Sequence, residues 1–169
     1  MKKILLLLIV GLVGLQAACK PHGETGLQKI MSMSTPPAGV VFEIASDDDE
    51  GFAWAVPLVN SYARQLRKKF PDIKLAIVSH GEEQFQLTKD NRDEFADVHQ
   101  KVVSLINQQD IDVHVCGNLA ASQGVDEDKF IDDIDVAARG PTQIKVYQQN
   151  GYEVLFIHRP QEGEGFNPY

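Results

Sequence analysis

Residues 75–81 read LAIVSHG, a short apolar run that ends in a polar turn. An apolar run without alternation is typical of a strand that is buried on both faces, as in the parallel sheets of α/β proteins. Further strands are predicted over residues 40–45, 111–116 and 152–157, with a brief one at residues 136–137. The pattern therefore predicts a sheet of five strands.

Segments with helical spacing of apolar residues separate these strands. One stripe covers residues 52–70, a second covers residues 95–105, and a third helix opens at Gly140. Pro57 lies inside the first stripe, so its regular helix is expected to begin there. Residues 126–133 are predicted as a short helix. Strands that alternate with helices predict an α/β fold, with a mostly parallel five-stranded sheet and helices on both faces.

The N-terminal segment has the pattern of an export signal. Lys2 and Lys3 give a positive start, residues 4–15 are apolar apart from two glycines, and small residues precede Cys19. The apolar run is shorter than the roughly 20 residues of a membrane-spanning helix. We therefore predict that residues 1–18 are a signal peptide and that the chain is exported to a bacterial-type periplasm.

Cys19 has two possible fates. The pair Ala17-Ala18 directly before a cysteine resembles a bacterial lipoprotein processing site, in which the cysteine becomes the lipidated N-terminus. The usual pattern has leucine three residues before the cysteine, whereas Gln16 stands there in this chain. Simple cleavage near Ala17 or Ala18 would instead leave a soluble periplasmic protein. Lipidation of Cys19 is the predicted modification, and the membrane is expected as a partner only through that lipid.

Composition and punctuation divide the rest of the chain. Proline and glycine without periodicity predict a flexible tether at residues 19–39 and a C-terminal tail at residues 159–169. Residues 40–158 are then one domain, which is long enough for a sizeable core. The formal charge is −8 and no extended basic patch is present, so nucleic acid is not an expected partner. No Gly-rich phosphate loop occurs, and no cofactor is expected.

Candidate reactive residues follow the predicted strands. The carboxyl ends of parallel strands meet at one edge of a sheet, where ligands bind. That edge is expected to hold His80, Cys116 and Asn118 beside the acidic loop at residues 47–50. Cys116 is the one cysteine of the predicted domain, so no disulfide can form within it. Its thiolate would be favoured by backbone N–H groups at the turn of Gly117, although a free cysteine is also a common buried apolar side chain.

Two other kinds of site match the sequence less well. His80, His114 and Cys116 could be zinc or copper ligands, but neither a carboxylate nor a second cysteine completes a set. No metal site is therefore predicted. A serine hydrolase is also disfavoured, because no G-x-S-x-G elbow is present and Ser79 and His80 are chain neighbours rather than a positioned pair.

Three separated motifs carry a family resemblance. AIVSHG at residues 76–81, VHVCGN at residues 113–118 and VYQQNGY at residues 146–152 resemble the DsrE/DsrF-like family, over about residues 40–158. The resemblance implies a small flavodoxin-like α/β subunit that is commonly a homo-oligomer. It also implies that a strand-end cysteine carries sulfur as a persulfide, and by motif position that cysteine is Cys116.

The expected function is therefore sulfur binding or transfer by a Cys116 persulfide in the periplasm, with a small sulfur compound or a sulfur-carrier protein as partner. The best understood members of the family are cytoplasmic, so an exported chain would need other partners. His80 would act as an acid, a base or a hydrogen-bond donor to the thiolate. Asn118 would either orient the substrate or only cap the following turn. The alternative is a non-catalytic oligomeric binding or scaffold module. An exposed thiol near His80 favours the first function, whereas a thiol sealed among aliphatic side chains favours the second.

Overall fold

The computed structural model describes residues 22–159, with side chains from Gly26 onward. Its strands are β1 (Gly39–Ile44), β2 (Lys74–Ser79), β3 (Ile111–Cys116), β4 (Asp135–Ala137) and β5 (Tyr152–Phe156). They form one sheet in the order β4-β3-β2-β1-β5, and every neighbouring pair is parallel. The predicted α/β fold with a five-stranded sheet is confirmed.

Helices connect the strands and cover both faces of the sheet. Within residues 22–159 they are α1 (His22–Ser32), α2 (Gly51–Lys69), α3 (Ala96–Gln109), α4 (Gly117–Ser122) and α5 (Gly140–Gln149), with 3₁₀ segments at Glu82–Leu87, Lys89–Asn91 and Glu127–Lys129. In this part of the chain, no helix combines the length and apolar character that crossing a membrane requires.

The larger core lies between the sheet and the helices α1, α2 and α3. Alternate strand residues such as Phe42, Ile77 and Val113 point into it and are at most 3% exposed. The predicted stripes of α2 and α3 supply the other half, for example Phe52 and Val102, which are fully buried. This face of the sheet is therefore sealed by apolar contacts.

The opposite face, which we call the α5 face, has a smaller apolar cluster. Val41, Ala76 and Val78 of the sheet meet Ile144 of α5 there. Strand alternation directs Glu43, His114 and Cys116 to the same face. Polar and reactive side chains thus collect on the side where the apolar packing is less extensive.

The segment predicted as a flexible tether, residues 19–39, differs from that prediction where it is described. Residues 22–32 form α1, which packs on β5 and α2. Leu27 and Ile30 are 4% and 1% exposed. Gly23 and Gly26 weaken the intrinsic helix propensity, so the burial of these two side chains explains why the helix forms.

Two local predictions are also corrected. Helix α2 begins at Gly51 and contains Pro57, which was expected to open it. The carbonyl of Ala53 loses its helical partner at Pro57, but Ala53 is exposed and water can replace that bond. Of residues 126–133, only Glu127–Lys129 form a 3₁₀ turn. Phe130 instead pairs with Thr88 in an isolated bridge, which competes with continuation of a helix.

Some predictions fall outside the described residues. These are the signal peptide at residues 1–18, the modification of Cys19, and all of the tail at residues 159–169 except Arg159.

Candidate functional site

The carboxyl edge of the sheet brings the predicted site residues together. Because all strands are parallel, β1, β2 and β3 end at this edge with Ile44, Ser79 and Cys116. His80 and the acidic loop follow directly, and α4 begins at Gly117. The parallel topology therefore brings these segments to one edge of the sheet, as the sequence predicts.

His80 lies level with Cys116 on the α5 face. Ser79 of β2 pairs with Val115 of β3. The residues that follow them, His80 and Cys116, are therefore neighbours, since adjacent strands are about 4.8 Å apart. Gly140, the first residue of α5, packs against both His80 and Cys116. A Cβ atom on Gly140 would lie 2.6 Å from the Cβ of His80 and 3.5 Å from the Cβ of Cys116. Only glycine lets the start of α5 approach so closely.

Cys116 is a free but buried thiol, with a residue exposure of 5%. Its main chain is held on both sides by one side chain. The Cys116 N–H donates to Gln84 Oε1 at 2.7 Å, and Gln84 Nε2 donates to the Cys116 carbonyl at 3.3 Å. Gln84 is fully buried, and its amide therefore replaces the strand partner that β2 no longer provides.

His80 forms an ion pair with Glu43. Their Nε2 and Oε1 atoms are 2.9 Å apart, with side-chain exposures of 18% and 22%. The hydrogen bond that His80 donates to the Glu43 carboxylate raises the pKa of His80 above its usual value, and this effect outweighs the opposing desolvation. The negative charges of Glu43 and Glu83 act in the same direction. The imidazolium form is therefore favoured next to Cys116.

Glu83 fixes the loops beneath this pair. Its fully buried carboxylate accepts the Ser46 N–H at 2.7 Å, the Ser79 hydroxyl at 2.7 Å and the Gly81 N–H at 3.1 Å. The acidic loop is fixed separately, because Asp48 accepts a hydrogen bond from Trp54 Nε1 at 3.3 Å and pairs with Arg159 at 2.6 Å. Charge-assisted hydrogen bonds of this kind hold the carboxyl edge in one conformation.

His114 belongs to a different environment, although it faces the same side of the sheet. Its Nε2 shares a hydrogen bond of 2.8 Å with the Tyr147 hydroxyl, and its Nδ1 lies 3.8 Å from Asp135. Burial lowers the pKa of His114 and raises the pKa of Tyr147 to about 12. Across residues 22–159, no three His, Cys, Asp or Glu side chains are grouped to hold a metal ion.

Asn118 takes a structural position at the start of α4. Its backbone N–H donates to the Ala138 carbonyl at 3.0 Å, and this bond joins α4 to the chain after β4. Asn118 is exposed, and no hydrogen bond within residues 22–159 joins its side chain to His80 or Cys116. The predicted role of Asn118 in orienting a substrate is therefore not supported by a side-chain hydrogen bond to either residue.

Two surface clefts lie away from Cys116. A cleft of about 360 Å³ is lined by Glu82, Phe85 and Lys129 among others. A second of about 540 Å³ runs along α3 beside His99 and Ser104. Neither is lined by His80 or Cys116.

The sequence prediction missed three residues that define the site. Glu43 could have been identified from the sequence, because it is a charged residue in an otherwise apolar strand. A charged residue in such a strand needs a partner. Gln84 lies in the polar run EEQFQ at residues 82–86, which is typical of an exposed loop. Gly140 was read only as the opening of a helix, because its contacts with His80 and Cys116 come from distant parts of the chain.

One solved structure shares this fold, and two others are similar at lower scores. The protein of unknown function MTH1491 from Methanobacterium thermoautotrophicum matches 70% of this chain and 97% of its own, with a TM-score of 0.55 and 24% identity. BT1422 from Bacteroides thetaiotaomicron matches 71% of this chain and 95% of its own at a TM-score of 0.49 and 16% identity. The YchN protein from E. coli matches 70% and 98% at a TM-score of 0.45 and 12% identity.

Sequence comparison identifies the family. A search of curated proteins finds no significant match to the chain. The profile of the DsrE/DsrF-like family matches residues 44–157, which include β2, β3, α5 and both His80 and Cys116. The chain is a member of the DsrE/DsrF-like family.

Proposed function

We propose that this protein binds and transfers sulfur in an exported compartment, with the sulfur carried as a persulfide on Cys116. Family membership supports a function of the sulfur-relay type. The observation that carries the proposal is the neighbourhood of the thiol. Cys116 lies level with His80 and beneath the start of α5, not in a purely aliphatic core.

The charges around Cys116 favour an anionic sulfur. The His80 imidazolium is held by Glu43 at 2.9 Å, and the start of α5 contributes the positive end of a helix dipole. Both place positive charge beside the sulfur, where a persulfide anion or an anionic donor would lie. We assign His80 the role of a cation that stabilises the anion, because its pKa is raised and not lowered.

The loading step needs no outside oxidant when the donor already contains a sulfane sulfur. With thiosulfate, the Cys116 thiolate attacks the outer sulfur, the S–S bond of thiosulfate breaks, and sulfite leaves with the electron pair. Cys116 then carries a persulfide anion. The thiol proton passes to water before the attack.

The burial of Cys116 selects the size of the donor. At 5% exposure, a bulky reagent cannot reach the sulfur without displacement of Gly140 and its neighbours. Small sulfur anions such as polysulfide or thiosulfate are therefore the proposed donors. A sulfur-carrier protein would have to displace the start of α5, so we propose it only as an acceptor or donor after that opening.

Intact mass spectrometry tests the proposal. Protein that begins at Lys20, and so lacks Cys19, should gain whole sulfur atoms that a reducing agent removes when it is exposed to polysulfide or thiosulfate, whereas its Cys116→Ser variant should not. The Cys116→Ser, Ser122→Cys double variant provides the matched control, because Ser122 is exposed on α4 and reports the loading of an ordinary thiol. If that control gains sulfur and the wild type does not, the proposal fails.

The same burial supports a second candidate, a non-catalytic binding or scaffold module in which Cys116 only packs. In that case substitution of Cys116 by serine would alter stability but no sulfur chemistry. Assembly into a homo-oligomer is proposed for either function, on the basis of the family. Light scattering of the purified domain tests it, and a monomer at all concentrations would contradict it.

We also propose that the chain is exported and that Cys19 is lipidated after removal of residues 1–18. The sequence Ala17-Ala18-Cys19 supports this proposal. The mass of the mature N-terminal peptide tests it, since lipidation and simple cleavage give different products.

A further inference from the structure

Helix α1 runs antiparallel to β5. A Cβ atom on Gly26 would lie 2.7 Å from Leu155 Cδ1, near the carboxyl end of β5. One turn later Lys29 pairs with Glu153 at 3.0 Å, nearer to the start of the strand. Met31 then meets the end of α2, where its carbonyl accepts a hydrogen bond from Lys69. The first residue of α1 therefore lies at the carboxyl edge of the sheet, the edge that carries His80 and Cys116.

The chain between Cys19 and the start of α1 is short. Only Lys20 and Pro21 separate Cys19 from the start of α1 at His22. Three residues span at most about 10 Å, whereas the six residues of β1 span about 20 Å between the two edges of the sheet. A lipid on Cys19 can therefore enter a membrane that lies beyond the carboxyl edge of the sheet. It cannot enter one that lies beyond the amino edge.

We propose that the carboxyl edge of the sheet, with the site at Cys116, faces the surface of a phospholipid bilayer. The inference rests on the proposed lipid at Cys19 and on the packing of α1, and it does not depend on sulfur transfer. Leu27 and Ile30 hold α1 in the domain at 4% and 1% exposure. The domain is thus held close to the membrane, with its orientation set by α1.

Charge acts against direct binding of this edge to anionic lipids. The loop after β1 carries Asp47, Asp48, Asp49 and Glu50. Their repulsion is screened beyond about 8 Å at physiological salt. The short chain and its lipid therefore determine the orientation, and attraction of the protein surface to headgroups does not. A domain that begins at Lys20 should consequently not bind vesicles of phosphatidylethanolamine and phosphatidylglycerol.

Fluorescence quenching by headgroup-labelled lipids tests the orientation. The full chain is produced with its own leader in a Cys116→Ser background, and the mass of the mature form establishes the lipid on Cys19. A fluorophore is attached either at Asp49→Cys on the carboxyl edge or at Asp72→Cys on the opposite edge, both exposed positions. Nitroxide lipids in vesicles should quench the first label severalfold more than the second.

A linker variant is the control. Ten Gly and Ser residues inserted between Pro21 and His22 should reduce the difference between the two labels, because the domain can then turn. Equal quenching without the linker, or stronger quenching at Asp72→Cys, would overturn the inference. Absence of lipid on Cys19 would overturn it as well. Sulfur loading is measured separately on wild-type Cys116, so failure of that function is distinguished from failure of the orientation.

Discussion

Close packing between α5 and the strand ends depends on the absence of a side chain at Gly140. An alanine there would place its Cβ 2.6 Å from the Cβ of His80, which is attached directly to the backbone and cannot rotate away. We expect Gly140→Ala to lower the free energy of unfolding by about 1–3 kcal/mol, because the start of α5 must move off the strand ends. Urea unfolding of the two proteins measures the difference.

Gly26→Ala is the matched control for that substitution. Its Cβ would lie 2.7 Å from Leu155 Cδ1, the flexible end of a side chain. Alanine also gains helix propensity in α1. The control should therefore be nearly neutral. An equal loss in both variants would show that Gly140 has no special packing role.

The Glu43–His80 pair makes stability depend on pH. A histidine whose pKa is raised by folding adds stability that is complete below its unfolded pKa, and this stability is lost as pH rises through the folded value. Glu43→Gln removes the charge that raises the pKa. We expect the variant to be less stable by about 1–2 kcal/mol near pH 5.5, with a smaller difference near pH 9.

Thermal unfolding across this pH range provides the measurement. Glu153→Gln is the control, because it removes the carboxylate of a solvent-exposed ion pair with Lys29, a pair that contains no histidine. A difference between Glu43→Gln and wild type that stays constant from pH 5.5 to 9 would contradict the assignment of His80 as a cation.

At the level of elements, the 3₁₀ segment Glu82–Leu87 holds the end of β3 through Gln84. Gln84→Ala would leave the Cys116 N–H and carbonyl without these partners in a buried position. We expect a loss of about 1–3 kcal/mol in the free energy of unfolding. Gln100→Ala, at an exposed position of α3, should change it by less than about 0.5 kcal/mol. Equal losses of stability in the two variants would mean that the hydrogen bonds of Gln84 to the Cys116 main chain are unimportant.

Helix α1 is the second element whose role can be measured. Ile30 is 1% exposed against the main core. We expect Ile30→Ala to cost about 2–4 kcal/mol, because a buried cavity replaces the side chain. Lys29→Ala, which removes an exposed ion pair, should cost less than about 1 kcal/mol. A neutral Ile30→Ala would show that α1 is not part of the folded domain.

These two elements also show where sequence interpretation fails. The run EEQFQ is polar and predicts an exposed loop, yet Glu83, Gln84 and Gln86 are buried because each meets backbone groups of distant strands or helices. Helix α1 contains two glycines and lacks a long stripe, so its stability comes from contacts with β5 and α2. Partners that are distant in the chain cannot be identified from local periodicity.

At the scale of the whole molecule, the sequence predicts the fold and the position of the site better than it predicts the individual elements discussed above. Apolar runs such as LAIVS identify buried strands, and strands that alternate with helices imply a parallel sheet, which brings His80 and Cys116 to one edge. The position of β5 beside β1 was not predicted, because strand order depends on the path of α5 across the α5 face. The pairing of His80 with Glu43 was not predicted either, and it follows from the parallel pairing of β1 with β2.

The central claim is that Cys116 carries a transferable sulfur. The most direct measurement is the release of thiocyanate by cyanide from protein that has been loaded with polysulfide and freed of excess donor. Cyanide attacks the outer sulfur of a persulfide, takes it as thiocyanate and returns the thiolate. We expect near-stoichiometric release from wild type and none from Cys116→Ser. No release from wild type, or equal release from both proteins, would contradict the account.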